Sequence, residues 1–313
     1  MLSIQNISFS YLKQKTIPNF SYELHEGKNL AIIGESGCGK STLLKLIYGL
    51  HDLDKGQIFW NENEVLGPKH HLVPGMDFMK YLAQDFDLMP FITVAENVGK
   101  YLSNVNKEKK KERIAELLEI VEMSEFTNVK AKFLSGGQMQ RVALARVLAL
   151  EPEVLLLDEP FSHIDNFRKN SLRRNLFKYL KEHSITTIIA SHDENDYLPF
   201  VDEIIVIKEG KKFASGSPKE LVANPPSYYV ASLFDDVNEI RASYFDENSD
   251  ETLLLYPNQL EVVENSKLKV IVTQNYFKGS YYLIESTYED GKLFFANDDD
   301  IEIGNQVNLN KIK

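Results

Sequence analysis

The sequence predicts an α/β domain with a mostly parallel sheet over residues 1–234, followed by a small all-β, barrel-like domain over residues 235–313. Short apolar strand-like runs alternate with helix-like runs over about the first 220 residues, as in α/β domains. Further on, β-rich runs such as KLKVIVTQ and KLFFAN are separated by Pro, Gly, Asn and Asp. The two predicted domains also differ in net charge. Residues 235–313 hold 16 acidic and 7 basic residues, a net charge of −9, whereas the whole chain has a net charge of −11.

Several apolar runs in the first domain have the length and composition of buried parallel strands. They cover residues 29–33, 154–157 and 186–190. The first of these leads into a glycine-rich loop and then an apolar helix over residues 41–50. Ahead of it, SIQNISFSY alternates apolar and polar residues, which predicts antiparallel strands with one face exposed.

A helical insertion is predicted between about residues 86 and 134. In KEKKKERIAELLEIVEM the apolar residues Ile114, Leu117, Leu118 and Val121 recur at i, i+3, i+4 and i+7. The charged residues fall on the opposite face of this helix. That face is interpreted as solvated, with docking of a partner as the alternative.

Composition narrows the class of protein. Hydrophobic residues make up 43% of the chain, which predicts a buried core. Its apolar runs fall short of the ~20 residues of a membrane span, and MLSIQNISFSY does not fit a signal peptide. The single cysteine, Cys38, suits a reducing compartment, so we expect a soluble, cytoplasmic protein. An acidic chain without a basic stripe argues against nucleic-acid binding.

The segment GESGCGKS, residues 34–41, fits the pattern G-x-x-x-x-G-K-[ST] between a predicted strand and helix. Its glycines let the backbone turn tightly and direct N–H groups at phosphates. Lys40 adds positive charge for the β- and γ-phosphates, and the Ser41 hydroxyl is a ligand for Mg²⁺. The predicted cofactors are therefore ATP and Mg²⁺. The residues predicted to bind the nucleotide here are Gly34, Glu35, Ser36, Gly37, Cys38, Gly39, Lys40, Ser41 and Thr42.

The run VLLLDEP, residues 154–160, places two carboxylates at the end of an apolar strand. Asp158 is positioned to hold Mg²⁺ directly or through water. Glu159, beside it, is positioned to polarise an attacking water as a general base. An ordinary buried strand with an acidic end is the alternative, and the phosphate loop upstream argues against it.

A second glycine-containing segment, LSGGQMQR at residues 134–141, opens a helix-like stretch. Free N–H groups and the helix dipole make such a helix start an anion site. The LSGG part has no lysine to meet a phosphate, and the phosphate loop already has one. The segment therefore predicts a second anion site whose purpose the phosphate loop does not explain.

GESGCGKS, LSGGQMQR and VLLLDEP, in this order and spacing, resemble the nucleotide-binding subunit of ATP-binding cassette (ABC) transporters over about residues 1–234. The resemblance implies a P-loop NTPase cassette and ATP hydrolysis. It implies that Tyr11 stacks on adenine, that Gln84 reaches Mg²⁺ and the attacking water, and that His192 contacts the γ-phosphate. Asp165 matches the loop after the acidic strand. The predicted catalytic residues are then Glu159, His192 and Gln84, and the predicted metal ligands are Ser41, Gln84 and Asp158.

In the family that the sequence resembles, the LSGGQ segment faces the γ-phosphate bound to a second subunit in a head-to-tail dimer. This implies that ATP is sandwiched between two copies of the chain, so the segment needs no lysine of its own. The chain departs from the family pattern at His163, where a small or amide residue is more common, and at Met139, where glutamine is common. Neither change removes a catalytic group. The residues implied in the sandwich are Ser135, Gly136, Gly137 and Gln138.

DLMPFITVAENV and GSPKELVANPPSYYVASLF resemble segments of bacterial importer ATPases. Residues 240–313, with PNQLEVV, resemble a transport-associated oligonucleotide/oligosaccharide-binding (TOBE) domain. The implied function is the energy-coupling ATPase of an importer, peripheral at the cytoplasmic face of the inner membrane. Its implied partners are a second copy, permease subunits and, indirectly, a periplasmic or lipoprotein substrate-binding protein, with no nucleic acid. The alternatives are an exporter or lipoprotein-release ATPase, and a soluble ABC ATPase acting on DNA or ribosomes.

Overall fold

A computed structural model describes residues 1–12, 14–71, 73–245, 249 and 251–312. The chain forms two compact units, Met1–Pro218 and Lys219–Lys313. The predicted domain limit after residue 234 lies inside the second unit. Within that unit the Tyr256 hydroxyl donates to the Ala231 carbonyl oxygen at 3.4 Å, which ties the segment before residue 234 to the β-rich part.

The first unit contains both strands and helices. Its strands are β1 (Leu2–Tyr11), β2 (Gln14–Leu24), β3 (Asn29–Ile33), β4 (Lys55–Trp60), β5 (Asn63–Glu64), β6 (Met79–Leu82), β7 (Val154–Asp158), β8 (Thr186–Ala190), β9 (Glu203–Lys208) and β10 (Lys211–Gly216). Its helices are α1 (Lys40–Tyr48), α2 (Val94–Val98), α3 (Lys107–Ile120), α4 (Gly136–Leu148) and α5 (Asn166–Glu182), with 3₁₀ turns at Ser124–Phe126, Ala131–Phe133 and Glu194–Asp196.

The main sheet of this unit has the strand order β10-β9-β3-β8-β7-β6. Strands β6, β7, β8, β3 and β9 run parallel, and β10 pairs with β9 antiparallel. Every residue of β3, β7 and β8 is buried, which confirms the three predicted parallel strands. Because parallel strands end at one edge of the sheet, the segments that follow β3, β7 and β8 lie near each other.

A second sheet of this unit, in the order β2-β1-β4-β5, is antiparallel, as the alternating pattern predicts. Its apolar side chains share one core with the main sheet. Ile7, Phe20 and Ile58 belong to the antiparallel sheet, and Leu30 and Leu156 belong to the main sheet. The shared core places β2 close to the phosphate loop.

The predicted amphipathic helix is α3, which buries Ile114, Leu117 and Leu118. Asn106 caps its N-terminus by accepting a hydrogen bond from the Lys109 N–H at 3.0 Å. Helices α2 and α3, with the 3₁₀ turns at Ser124–Phe126 and Ala131–Phe133, lie in the predicted helical insertion. None of the helices in the described part of the chain combines the length and the apolar character that a membrane crossing needs.

The second unit is dominated by antiparallel strands. Helix α6 (Pro218–Ala223) begins at the last residue of the first unit. The other elements of the second unit are α7 (Tyr228–Ala231), β11 (Asn238–Arg241), β12 (Thr252–Leu255), β13 (Leu260–Val263), β14 (Leu268–Phe277), β15 (Tyr282–Tyr288), β16 (Gly291–Asn297) and β17 (Gln306–Lys311), with 3₁₀ turns at Ala242–Phe245 and Pro257–Gln259. One sheet has the order β13-β17-β14-β15-β16, and β11 pairs with β12. Ile240, Val270, Ile284 and Phe295 lie in one core that both sheets share. This confirms the separate β domain.

Candidate nucleotide site

The phosphate loop, residues 34–41, connects β3 to α1 at the carboxyl edge of the main sheet. Gly34 has a φ of +143°, and a Cβ on it would lie 2.2 Å from the Ile207 carbonyl oxygen, so the fold requires glycine there. Lys40 donates from Nζ to the carbonyl oxygens of Gly34 at 2.7 Å and Glu35 at 3.0 Å. The loop therefore curls around the Lys40 ammonium group and holds its charge at the sheet edge.

The tip of this loop is open to solvent, so a nucleotide can reach it. Gly39, at the N-terminus of α1, is buried with a φ of +110°, and a Cβ there would lie 3.1 Å from Ile17 of β2. Burial raises the pKa of the Cys38 thiol, and the positive charge of Lys40 acts in the opposite direction. The other predicted loop residues are exposed at Glu35, Ser36 and Gly37 and half-buried at Thr42.

Two predicted magnesium ligands, Ser41 and Asp158, contact each other at the end of the phosphate loop. The Ser41 hydroxyl donates to Asp158 Oδ1 at 2.9 Å. Asp158 is the last residue of β7 and is only 3% exposed. A hydroxyl and a carboxylate are hard oxygen ligands, and Mg²⁺ binds to such groups together with phosphates and water. The donor set of this pair therefore fits Mg²⁺.

Tyr81 is a third group on this carboxylate that the sequence analysis missed. Its hydroxyl donates to Asp158 Oδ2 at 3.0 Å. Burial raises the pKa of Tyr81, and the Asp158 charge raises it further, so the hydroxyl stays protonated as a donor. The sequence contains a weak signal at best, since a tyrosine in a strand is ordinarily a packing residue. Only the pairing of β6 with β7 brings the two side chains together.

The predicted general base and the predicted γ-phosphate contact lie side by side. Glu159 Oε2 is 2.9 Å from His192 Nδ1. The Glu159 side chain is 13% exposed, whereas that of His192 is 72% exposed. The Glu159 N–H donates to the carbonyl oxygen of Ala190, the last residue of β8, at 2.9 Å. Adjacent parallel strands thus present a carboxylate and an imidazole at the same edge.

Gln84 and Tyr11 have exposed side chains. Gln84 follows β6 by two residues, and Leu82 lies opposite Leu157 in the parallel register, so Gln84 is near the edge that carries the acidic pair. Tyr11 ends β1, and its hydroxyl lies 3.1 Å from His51 Nε2. The roles of these two residues toward Mg²⁺ and adenine stay predictions.

The LSGGQ segment forms the start of α4. Ser135 Oγ accepts from the Gln138 N–H at 3.3 Å, and the Ser135 N–H donates to Gln138 Oε1 at 2.8 Å, which caps the helix. A Cβ on Gly137 would lie 2.6 Å from the His163 carbonyl oxygen, so packing inside the chain requires that glycine. A Cβ on Gly136 would have no described atom within 4 Å. Packing within the described chain therefore does not explain glycine at position 136.

The loop between β7 and α5 is bound to α4 by Gln140, which the sequence analysis also missed. Gln140 Nε2 donates to the Glu159 carbonyl oxygen at 2.9 Å, and Gln140 Oε1 accepts from the His163 N–H at 2.9 Å. Further along this loop, the predicted residue Asp165 is exposed at the start of α5. Its backbone carbonyl oxygen accepts from the Arg168 N–H at 2.9 Å, and its side chain makes no capping hydrogen bond to α5.

Known proteins resemble this chain in sequence and in fold. A family model described as ABC transporter matches residues 17–162. The chain is 32% identical to the spermidine/putrescine import ATP-binding protein PotA of Pasteurella multocida, over 87% of this chain and 75% of that protein. This chain is an ABC transporter ATP-binding subunit. It is also 33% identical to the Fe(3+) ions import ATP-binding protein FbpC of Escherichia coli O157:H7, over 80% of this chain and 71% of that protein.

A solved structure agrees with this family. The dimeric ATP-binding cassette MJ0796, in a post-hydrolysis state bound to ADP and Pi, is 28% identical with a TM-score of 0.62, and the match covers 70% of this chain and 99% of that chain. The predicted family, cassette fold and ATPase activity are confirmed. The ABC subunit hydrolyses ATP.

A groove of about 700 Å³ lies next to Asp158, because Tyr81, which donates to Asp158, lines it. Tyr48, Tyr81 and Tyr101 line it, together with Arg146 of α4. Arg146 Nη2 donates to the Phe86 carbonyl oxygen at 3.1 Å, which links α4 to the segment after β6. The groove combines elements that are distant in the sequence, so no local pattern predicted it.

Proposed function

We propose that this ABC ATPase is the energy-coupling subunit of a bacterial importer and works as a head-to-tail dimer. In this proposal ATP lies between the phosphate loop of one copy and the LSGGQ segment of the other. The relatives from Pasteurella multocida and Escherichia coli are both import ATP-binding proteins, which supports import. The dimeric state of the MJ0796 cassette supports the dimer.

The observation that carries the sandwich is the open space at Gly136. A Cβ at this position would have no described atom within 4 Å outside the backbone of its own helix, yet the position is a glycine at a capped helix start. Glycine allows the closest approach of an outside group to backbone N–H groups. A γ-phosphate held by a second copy is such a group, and the Ser135 hydroxyl and the helix dipole add to the attraction. Gly137 serves a different purpose, since it packs against His163 of its own chain.

Binding of Mg-ATP uses charge and backbone donors together. Lys40 and the N–H groups of the phosphate loop neutralise the β- and γ-phosphates. Ser41, Asp158 and Gln84 would hold Mg²⁺, which would offset phosphate charge. Tyr11 stacks on the adenine ring.

Hydrolysis depends on the acidic edge. Glu159 accepts a proton from the attacking water, and His192 contacts the γ-phosphate from the neighbouring strand end. Loss of the γ-phosphate removes the group that both copies hold, so the dimer opens after each turnover. Asp165, on the exposed loop after the acidic strand, lies at the surface that faces the second copy.

Opening and closing drive transport through membrane-spanning permease subunits, which dock in the tyrosine-lined groove. Tyr81 lies in this groove and also donates to Asp158, so a segment seated there contacts a residue of the magnesium site. The second unit serves as a TOBE-like accessory domain. The complex lies at the cytoplasmic face of the inner membrane, with a substrate-binding protein on the other side.

A tagged pull-down of the full chain from detergent-solubilised native membranes tests this proposal. Mass spectrometry should identify a multi-span permease together with a substrate-binding protein. Tyr101→Ala changes a groove residue that is 57% exposed and should lower permease recovery, whereas Tyr228→Ala, at 49% exposure in the second unit, should not. Recovery of a permease alone would favour the exporter alternative. Recovery of only ribosomal or DNA-bound proteins would reject transport and leave the ATPase intact.

A further inference from the structure

Gln140 is a buried polar residue whose side-chain amide forms hydrogen bonds through both its nitrogen and its oxygen. It lies four residues after Gly136 on α4 and is 2% exposed. Its Nε2 donates to the Glu159 carbonyl oxygen at 2.9 Å and lies 3.4 Å from Ser162 Oγ, and its Oε1 accepts from the His163 N–H at 2.9 Å. The amide oxygen faces the His163 N–H and the amide nitrogen faces the Glu159 carbonyl oxygen. These two neighbours therefore determine the orientation of the amide.

The Glu159 carbonyl that Gln140 binds belongs to a strained residue. Glu159 has a φ of +51°, a left-handed conformation that costs a non-glycine residue about 1 kcal/mol or more. Two side chains hold its carbonyl oxygen, Gln140 at 2.9 Å and Ser162 at 3.1 Å. Its N–H is held by Ala190. Because backbone conformation sets the direction of the side chain, these bonds also set where the Glu159 carboxylate points.

The start of α4 and the loop after β7 are packed as one body. The His163 carbonyl oxygen lies so close to Gly137 that a Cβ on this residue would be only 2.6 Å away. One turn further along α4, Gln140 adds its hydrogen bonds to the same loop. A shift of the α4 start therefore shifts the Glu159 carbonyl with it. The same helix start carries Ser135 and Gly136, which face the second copy's nucleotide in the proposed dimer.

We propose that Gln140 is a positioning residue that sets the direction of the Glu159 carboxylate according to the position of the LSGGQ helix start. This inference rests on the proposed dimer. When the second copy's ATP binds to Ser135 and Gly136, it fixes the position of the α4 start. Gln140 then holds Glu159 in the orientation for attack on the ATP of its own chain. One ATP thereby promotes hydrolysis of the other.

Gln140→Met tests this directly, since methionine keeps the length of the side chain and removes both hydrogen bonds. We expect kcat to fall about tenfold or more, because the hydrogen bond from the Gln140 side chain to the Glu159 carbonyl oxygen is among those lost. KM for ATP should stay within about twofold, since Gln140 does not touch the nucleotide. Dimer formation with ATP in the absence of Mg²⁺, followed by size-exclusion chromatography, should be unchanged. Gln306→Met, at an exposed position of β17, is the matched control.

Gln140→Glu separates positioning from general destabilisation by its pH profile. The introduced carboxyl accepts from the His163 N–H in either state, but it donates to the Glu159 carbonyl only when protonated. Burial keeps such a carboxyl protonated to higher pH than usual. The ratio of kcat for this variant to the wild-type kcat should therefore rise as the pH falls from about 8.5 to about 6. The same ratio for Gln140→Met should stay flat.

Wild-type kcat in Gln140→Met would overturn the positioning role. A flat ratio for Gln140→Glu would overturn it too, and that variant decides alone if Gln140→Met does not fold. Loss of ATP-induced dimers together with a lower melting temperature would show a merely structural role. An inactive wild-type chain would instead count against the proposed function, so the two failures are distinguishable.

Discussion

His192 Nδ1 lies 2.9 Å from Glu159 Oε2, at the carboxyl edge of the main sheet. The contact follows from strand register, because Asp158 of β7 lies opposite Ala190 of β8 and each strand continues into the loop that carries one of the pair. The imidazole is mostly exposed and the carboxylate mostly buried. The His192 side chain therefore has more room to turn than the Glu159 carboxylate.

Glu159→Gln should abolish steady-state hydrolysis while ATP binding persists. Removal of a general base lowers turnover by about 10² to 10⁴. The variant should form a stable dimer with Mg-ATP, detected by size-exclusion chromatography, and release almost no phosphate. Glu125→Gln, an exposed position in the helical part, should hydrolyse like the wild type. Normal turnover in Glu159→Gln would remove Glu159 from the role of base.

Tyr81→Phe should weaken the response to Mg²⁺. The change removes the hydroxyl that donates to Asp158 Oδ2 and leaves that oxygen without its orienting partner. Partners of metal ligands contribute about tenfold or more to metal affinity, so the Mg²⁺ concentration for half-maximal ATPase should rise about tenfold.

Tyr48→Phe is the control for this change, because Tyr48 lines the same groove with its ring 5.5 Å from that of Tyr81. It should leave the Mg²⁺ titration unchanged. An equal shift in both variants would assign the effect to the groove and not to the hydrogen bond on Asp158.

Gly34→Ala should lower the stability of the fold, whereas Gly136→Ala should leave it nearly unchanged. At Gly34 a Cβ would collide with the Ile207 carbonyl in a left-handed backbone, so the free energy of unfolding should fall by more than about 2 kcal/mol. At Gly136 the Cβ enters open space, so stability should change by less than about 0.5 kcal/mol. Denaturant unfolding measures both.

Gly136→Ala should still weaken the ATP-bound dimer when it is combined with Glu159→Gln, since the added methyl group occupies the space that a second copy's phosphate needs. Dimer fraction against protein concentration measures this. A dimer as stable as that of Glu159→Gln alone would contradict the sandwich at this position.

Cys38 should react slowly with iodoacetamide near neutral pH. Burial raises the pKa of its thiol more than the Lys40 charge lowers it, and the thiolate is the reactive form. The rate should rise steadily from about pH 7 to about pH 9. Because the chain has one cysteine, every adduct reports this site. The urea-unfolded chain is the reference, and a faster reaction in the folded chain would contradict the direction of the shift.

Local patterns were sufficient for the parts of the site that are contiguous in the chain. The phosphate loop lies between β3 and α1, and Asp158 ends β7, as their sequences predict. Asn29–Ile33 and Val154–Asp158 are entirely buried because each consists almost wholly of apolar residues before a loop. The family resemblance supplied Gln84 and His192, which local chemistry alone does not identify.

The sequence by itself determined the fold class, the phosphate chemistry and the family, because each depends on neighbouring residues or on motifs in order. Only the tertiary structure decided which residues support them. Tyr81 meets Asp158 across 77 residues, and Gln140 meets the Glu159 carbonyl across 19. Gly136 and Gly137 are adjacent and identical, yet one faces open space and the other faces His163. Such contacts depend on sheet order and on how α4 packs against the loop after β7, and no local pattern encodes that packing.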